Sequence, residues 1–166
     1  MEEQQFTELP ATERETYIEF HRQAYREDLS HADRNAIEFP RWSIISGYYC
    51  MHDVTKLFLA ERFNVKVTSP DIHARAIEAL DHFVKDKDVK ARLLVLLKNA
   101  KDMYFSAERL KERTLPAMLR KGKQERGMAQ YYCQDYSDGT GANSQKALYF
   151  IDNIVRPYVA IVEGLA

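Results

Sequence analysis

Between Pro40 and Phe63 the chain carries a stretch that is apolar or small on most sides of a helix, and a bundle of helices is the natural cover for such a segment. Within Trp42-Ser-Ile-Ile-Ser-Gly-Tyr-Tyr-Cys-Met-His-Asp53, the residues Ser43, Gly47, Cys50 and Val54 recur at spacings of four, three and four and form one small-residue seam. Ile44, Tyr48, Met51 and Phe58 flank it, and Ile45, Tyr49, His52 and Leu59 form the next stripe. A helix of this kind sits at the centre of its fold. Gly47 is about 1 kcal/mol less favourable than Ala inside a helix, so close approach of another backbone is expected there.

The remaining segments supply the partners. A first helix begins near Thr12, where Thr12-Glu-Arg-Glu15 has capping-box spacing, and ends near Leu29; the polar stretch from Ser30 to Ala36 reads as a connection. Pro40 stands where a helix starts. Ser69-Pro-Asp71 opens a third helix over Pro70 to Val84, and Asp88 caps a fourth with Leu93, Leu97, Ala100, Tyr104 and Leu110 on one stripe. Pro116 interrupts that helix, and Gly122, Gly127, Gly139 and Gly141 mark an irregular region. A last helix starts near Asn143 and is kinked by Pro157. The expected fold is all-α, an up-and-down bundle of about five helices in one domain over residues 1–166, with residues 1–11 outside the ordered part.

Composition agrees with a packed globular chain: 45% of the 166 residues are apolar, with only 6 Gly and 5 Pro. Lys and Arg total 24 against 25 Asp and Glu, so bulk charge does not point to nucleic acid or membrane. Locally the balance shifts, since residues 1–28 hold eight acids and three bases and residues 109–126 hold seven bases and two acids. Cys50 and Cys133 lack the spacing of a disulfide framework or zinc site. No apolar run reaches membrane-spanning length, and Met1-Glu-Glu-Gln-Gln-Phe6 is unlike a secretory leader. A soluble, cytoplasmic protein is expected.

His52 and Asp53 are the polar residues of the central helix that most invite a role. Either His52 is a hydrogen-bonded core histidine and Asp53 pairs with Lys56, or both line a polar cleft with His73, where an imidazole serves acid–base chemistry. Glu78 and His82, with Asp71 and His73 nearby in sequence, lack the repeated Glu-x-x-His pairs of a di-iron bundle, so no metal or cofactor is expected. Further on, Arg126 with Tyr131 and Tyr132 offers a guanidinium fork for phosphate and rings for stacking on bases, with Arg120, Lys121 and Lys123 adding positive potential. The plainer reading is a basic helix end beside two packed tyrosines.

Ser46-Gly-Tyr-Tyr-Cys-Met-His-Asp-Val-Thr-Lys-Leu-Phe-Leu-Ala60, the pair Ile72-His73, the run Glu125-Arg-Gly-Met-Ala-Gln-Tyr-Tyr132 and the final amphipathic helix together resemble the HEPN superfamily of helical-bundle domains, over roughly residues 12–162. The resemblance implies a site where an Arg, followed after four to six residues by a His, meets its copy across a symmetric dimer cleft and cleaves RNA without metal. Arg126 matches the first member. Tyr131 or Tyr132 stands where the His belongs, and no His follows His82. A phenol with an ordinary pKa of about 10 is a poor base at neutrality.

The resemblance therefore implies a nucleotide- or RNA-binding domain with a degenerate nuclease motif, in a toxin–antitoxin or defence setting, with a nucleotidyltransferase-like partner. The candidate ligand-binding residues are Arg126, Tyr131, Tyr132, Tyr49, His52, Asp53 and Lys123. The alternatives are an active metal-independent ribonuclease using Arg126 with His52 or His73, and a purely structural interaction module. A homodimer is expected from the family habit and from the seam at Ser43, Gly47 and Cys50.

Overall fold

The computed structural model describes residues 6–68, 71–120 and 142–166, and their side chains except those of 109–120. Helix α1 covers Ala11–Asn35, α2 Pro40–Phe63, α3 Ile72–Phe83 and α4 Lys87–Arg120. The last rod is α5 (Ser144–Phe150), a π turn (Ile151–Val155) and α6 (Arg156–Leu165) in direct succession. The fold is an all-α bundle of five rods among the described residues. No helix among them is long and apolar enough to cross a membrane.

Helix α2 is the axis of the bundle, and its sixteen buried residues spread around its circumference. Pro40 opens it at a first-turn position, where the missing N–H is no loss. Asn64 closes it in the left-handed region at φ 56°, its N–H returning to the carbonyls of Ala60 and Leu59. Every other rod packs on α2, and α1 does so along most of its length.

Helix α1 is longer than its sequence suggests. The polar stretch expected as a connection is helical through Asn35, because Ala32 is fully buried and its carbonyl accepts a 2.6 Å hydrogen bond from Ser43 Oγ. Contacts with α2 override the local preference of Ser30, His31 and Asp33 for turns. At the other end the capping box is unused: Pro10 precedes the helix without a side-chain cap.

The N-terminal stretch expected to lie outside the ordered part is corrected from Phe6 onward. Thr7–Glu8 forms an antiparallel pair with Val65–Lys66, and Leu9 is buried. Helix α3 starts at Ile72, two residues later than expected, with Asp71 as its cap at φ 60° and its carboxylate accepting from Ala74 N–H at 3.4 Å. Asp86 caps α4 in place of Asp88, accepting from the N–H groups of Asp88 and Val89. Pro116 does not end α4, whose backbone stays helical to Arg120; loss of one N–H bends a helix but need not break it. Asn143 caps α5 as expected, accepting from Lys146 N–H. The irregularity expected at Pro157 takes the form of the π turn just upstream.

Gly47 is needed for space, although the close neighbour is not backbone. A Cβ there would lie 2.8 Å from Cε1 of Phe150 and 3.0 Å from Cγ2 of Val155. Ser43 and Cys50 are also fully buried within the chain. The small-residue seam is therefore covered within the chain, by α1 at Ser43 and by the last rod at Gly47, and offers no free face to a second copy among the described residues.

Candidate functional site

Two polar groups lie on α2, and Asp53 is at the centre of the first. Its Oδ1 accepts a 2.6 Å hydrogen bond from Nδ1 of His21 on α1, in a buried position. An ionised carboxylate only accepts, so the proton on this bond belongs to the imidazole. Lys56, the partner expected from spacing, lies 3.9 Å away and is the weaker contact. The rings of Tyr17 and Phe20 meet His21 at 4.4 and 5.0 Å and fix its plane.

Asp28 of α1 faces the same carboxylate. Burial, then the charge of Asp53 and a hydrogen bond to it, then the charge of Glu27, push Asp28 from 3.8 up to about 7. Cys50, one turn before Asp53, is fully buried, and burial together with the charges of Asp28 and Asp53 raises its thiol pKa, so it is not a ready nucleophile.

A pH dependence follows from Asp28. The folded chain holds this proton more tightly than the unfolded chain, so the stabilisation is complete below about pH 4 and is lost as pH rises through about 7. At this half-exposed position solvent screening limits the loss to about 1–2 kcal/mol. Asp28→Asn is expected to gain about that much stability at pH 8 and almost nothing at pH 4, read as urea midpoints at the two pH values. Equal effects at both would exclude the linkage.

The second group brings together Tyr48, Tyr49 and His52 of α2, His73 of α3 and Tyr104 of α4. Tyr48 stacks on Tyr104 at 4.3 Å and on His73 at 5.2 Å. His52 meets Tyr48 and His73 edge-on at 4.6 and 4.2 Å. His52 is 1% exposed, and neither of its ring nitrogens has a hydrogen-bond partner among the described residues. Nδ1 of His73 is likewise buried without one. His52 is thus a core histidine without the expected hydrogen bond. Burial, the neighbouring His73 and the charge of Lys56 lower its pKa from 6.5 to about 3, and burial chiefly lowers that of His73. Both imidazoles are neutral near pH 7.

The outer edge of this cluster reaches solvent. Tyr49 is 42% exposed and touches Tyr104 at 6.1 Å and His73 at 6.4 Å. Two turns earlier on the same helix Trp42 is half exposed under the Arg41 guanidinium, and Phe105, beside Tyr104, lies under the Lys101 ammonium. Arg41 also bonds the Ala107 carbonyl, tying the start of α2 to α4. Tyr49, Tyr104 and Phe105 thus form one partly exposed aromatic edge, with Trp42 two turns away on α2; Lys101 and Arg41 lie beside these rings, and Arg41 also meets the Glu108 carboxylate at 3.9 Å.

Of the residues singled out from sequence, Tyr49, His52 and His73 come together and Asp53 belongs to the neighbouring polar group. Arg126, Tyr131, Tyr132 and Lys123 lie outside the described residues, as do Arg120's side chain and Lys121. Glu78 pairs with Arg75, and His82 packs on Phe6 and Phe83. No three His, Cys, Asp or Glu side chains gather in a metal-binding arrangement among the described residues. Sequence reasoning missed His21, Asp28 and Tyr104. His21 and Asp28 lie seven residues apart, two helical turns on one face of α1, which was the available signal.

No family model matches the chain, and neither a curated protein nor a solved structure is significantly similar to it.

Proposed function

We propose that the chain is a nucleotide- or RNA-binding domain of the HEPN kind whose nuclease motif is degenerate. The observation that carries this reading is the exposed face of Trp42, Tyr49 and Phe105, backed by stacked rings and flanked by Arg41 and Lys101. Aromatic faces accept bases of any sequence and nearby cations attract phosphate, the combination that single-strand binders use. Neutral imidazoles at His52 and His73 are weak bases, which favours binding over strand scission through the alternative set with Arg126. The HEPN resemblance extends the proposal to a cytoplasmic homodimer in a toxin–antitoxin or defence setting, with a nucleotidyltransferase-like partner.

Trp42 is the single tryptophan, so its fluorescence reports on this face. Titration with single-stranded RNA of about 12 nucleotides at low salt is expected to quench it, and Tyr49→Ala is expected to weaken binding about five- to 150-fold, the equivalent of about 1–3 kcal/mol for one stacked base. Tyr49 is partly exposed but packs on Tyr104 and His73, so thermal unfolding of the variant checks that it remains folded at the titration temperature. Wild-type protein that neither quenches nor binds, or a variant that binds equally well, would overturn the reading. Cleavage of the RNA in EDTA, abolished by Arg126→Ala, would instead establish the ribonuclease.

A further inference from the structure

His52 is hard to account for as a core residue. A neutral imidazole carries one N–H donor and one lone-pair acceptor, and here both are buried with no partner among the described residues. Buried polar atoms are nearly always satisfied, so an orphaned pair points to a group that completes it. Nδ1 of His73, whose ring centroid is 4.2 Å from that of His52, adds a third orphan atom to the same spot.

The surroundings restrict what that group is. A transition metal finds two imidazoles but no third ligand among the described residues, and the Lys56 charge that disfavours protonation of both histidines disfavours a cation too. An anion gains little from two uncharged rings. What remains is a neutral molecule that both donates and accepts hydrogen bonds. The walls add a shape: Tyr104, Tyr48 and His73 lie nearly parallel, at 21° and 25° to successive neighbours, while His52 stands edge-on to Tyr48 at 81°. A planar ring aligned with the stack would lie nearly perpendicular to the His52 ring.

We propose that this cluster is a base-reading pocket in which one nucleobase of the bound strand enters beside Tyr48 and hydrogen-bonds through its edge to His52. The inference rests on the RNA-binding reading above and names the contact that would give it base preference. Entry is from the Tyr49 side, where the cluster meets solvent, and requires the Tyr49 and His73 rings to swing aside. His73 lies in the first turn of α3, near a cap whose hydrogen bond is 3.4 Å long. The closed cluster leaves three imidazole nitrogens unpaired among the described residues, so pairing them on entry offsets part of the cost of opening.

His52→Phe tests this directly, because it keeps a ring in the core and removes both nitrogens. Uridine, cytidine and adenosine homopolymers of about 12 nucleotides, and an abasic strand of the same length, supply the comparison. Wild type is expected to favour one base by about tenfold or more and to bind the abasic strand least, whereas His52→Phe should bind all the homopolymers within about twofold of one another. Wild type that binds every homopolymer and the abasic strand alike would overturn the pocket while leaving RNA binding intact, and an unchanged preference in His52→Phe would place discrimination elsewhere. Wild type that binds no RNA would defeat the parent reading instead. Should the variant not fold, nitrogen-15 NMR of the histidine rings in the wild-type protein decides: base-dependent shifts at His52 on adding mononucleotides support the pocket, and unmoved resonances exclude it.

Discussion

Phe150→Ala is expected to remove about 3–5 kcal/mol of stability, as truncation of a fully buried aromatic ring does. Phe150 is fully buried, and its ring edge fills the notch over Gly47. The converse change, Gly47→Ala, puts a methyl group 2.8 Å from that ring and is expected to lose about 1–3 kcal/mol through overpacking, despite Ala's better helix propensity. The two losses should not add. In a Phe150→Ala background the closest clash is gone and only Cγ2 of Val155, at 3.0 Å, still crowds the new methyl, so the double variant should be more stable than the sum predicts by about 1 kcal/mol or more. Urea denaturation of the four proteins closes this cycle. Strict additivity would mean that the last rod does not sit over Gly47 in solution.

His21→Ala is expected to be about as damaging, at about 3–5 kcal/mol near neutral pH. It removes the 2.6 Å partner of a buried carboxylate and, among the described residues, leaves Asp53 facing Asp28 with only Lys56, at 3.9 Å, in compensation. The loss should shrink at pH 5, where Asp28 is protonated and only one negative charge borders the vacated space. Replacing both partners, as His21→Leu with Asp53→Leu, should restore most of the stability, because an apolar pair needs no compensation for buried charge. A His21→Ala variant with wild-type stability at pH 7 would show that Lys56 alone satisfies Asp53.

The legibility of the fold varied with the physics at each place. Helix α2 is readable to its ends because Pro40 fixes its start and its apolar residues leave no doubt about burial. The stretch from Ser30 to Asn35 misleads because its residue types favour turns, while the decisive contacts, Ala32 with Ser43 and His31 with Ser46, join residues 11 and 15 positions apart. The strand pair Thr7–Glu8 with Val65–Lys66 is too short for any alternation to register. For the candidate site, spacing on α2 identifies Tyr49, His52 and Asp53, but the partner of Asp53 depends on how two helices register across 32 residues. Composition cannot set that register. The absence of a partner for His52 among the described residues is equally invisible in sequence, being a property of everything packed around it.

The π turn at Ile151–Val155 has a consequence for the whole last rod. Its buried residues repeat every four positions, Ala147, Ile151, Val155 and Val159 in one row and Phe150, Ile154, Tyr158 and Val162 in the other. A regular α-helix advances about 100° per residue, so rows with this interval would precess by about 40° at each step and wind away from α2. One wide turn slows the winding midway and keeps both rows aimed at the same neighbour. That alignment lets one rod seat Phe150 over Gly47 and, two turns on, bring the Tyr158 hydroxyl to 2.5 Å from Thr55 Oγ1.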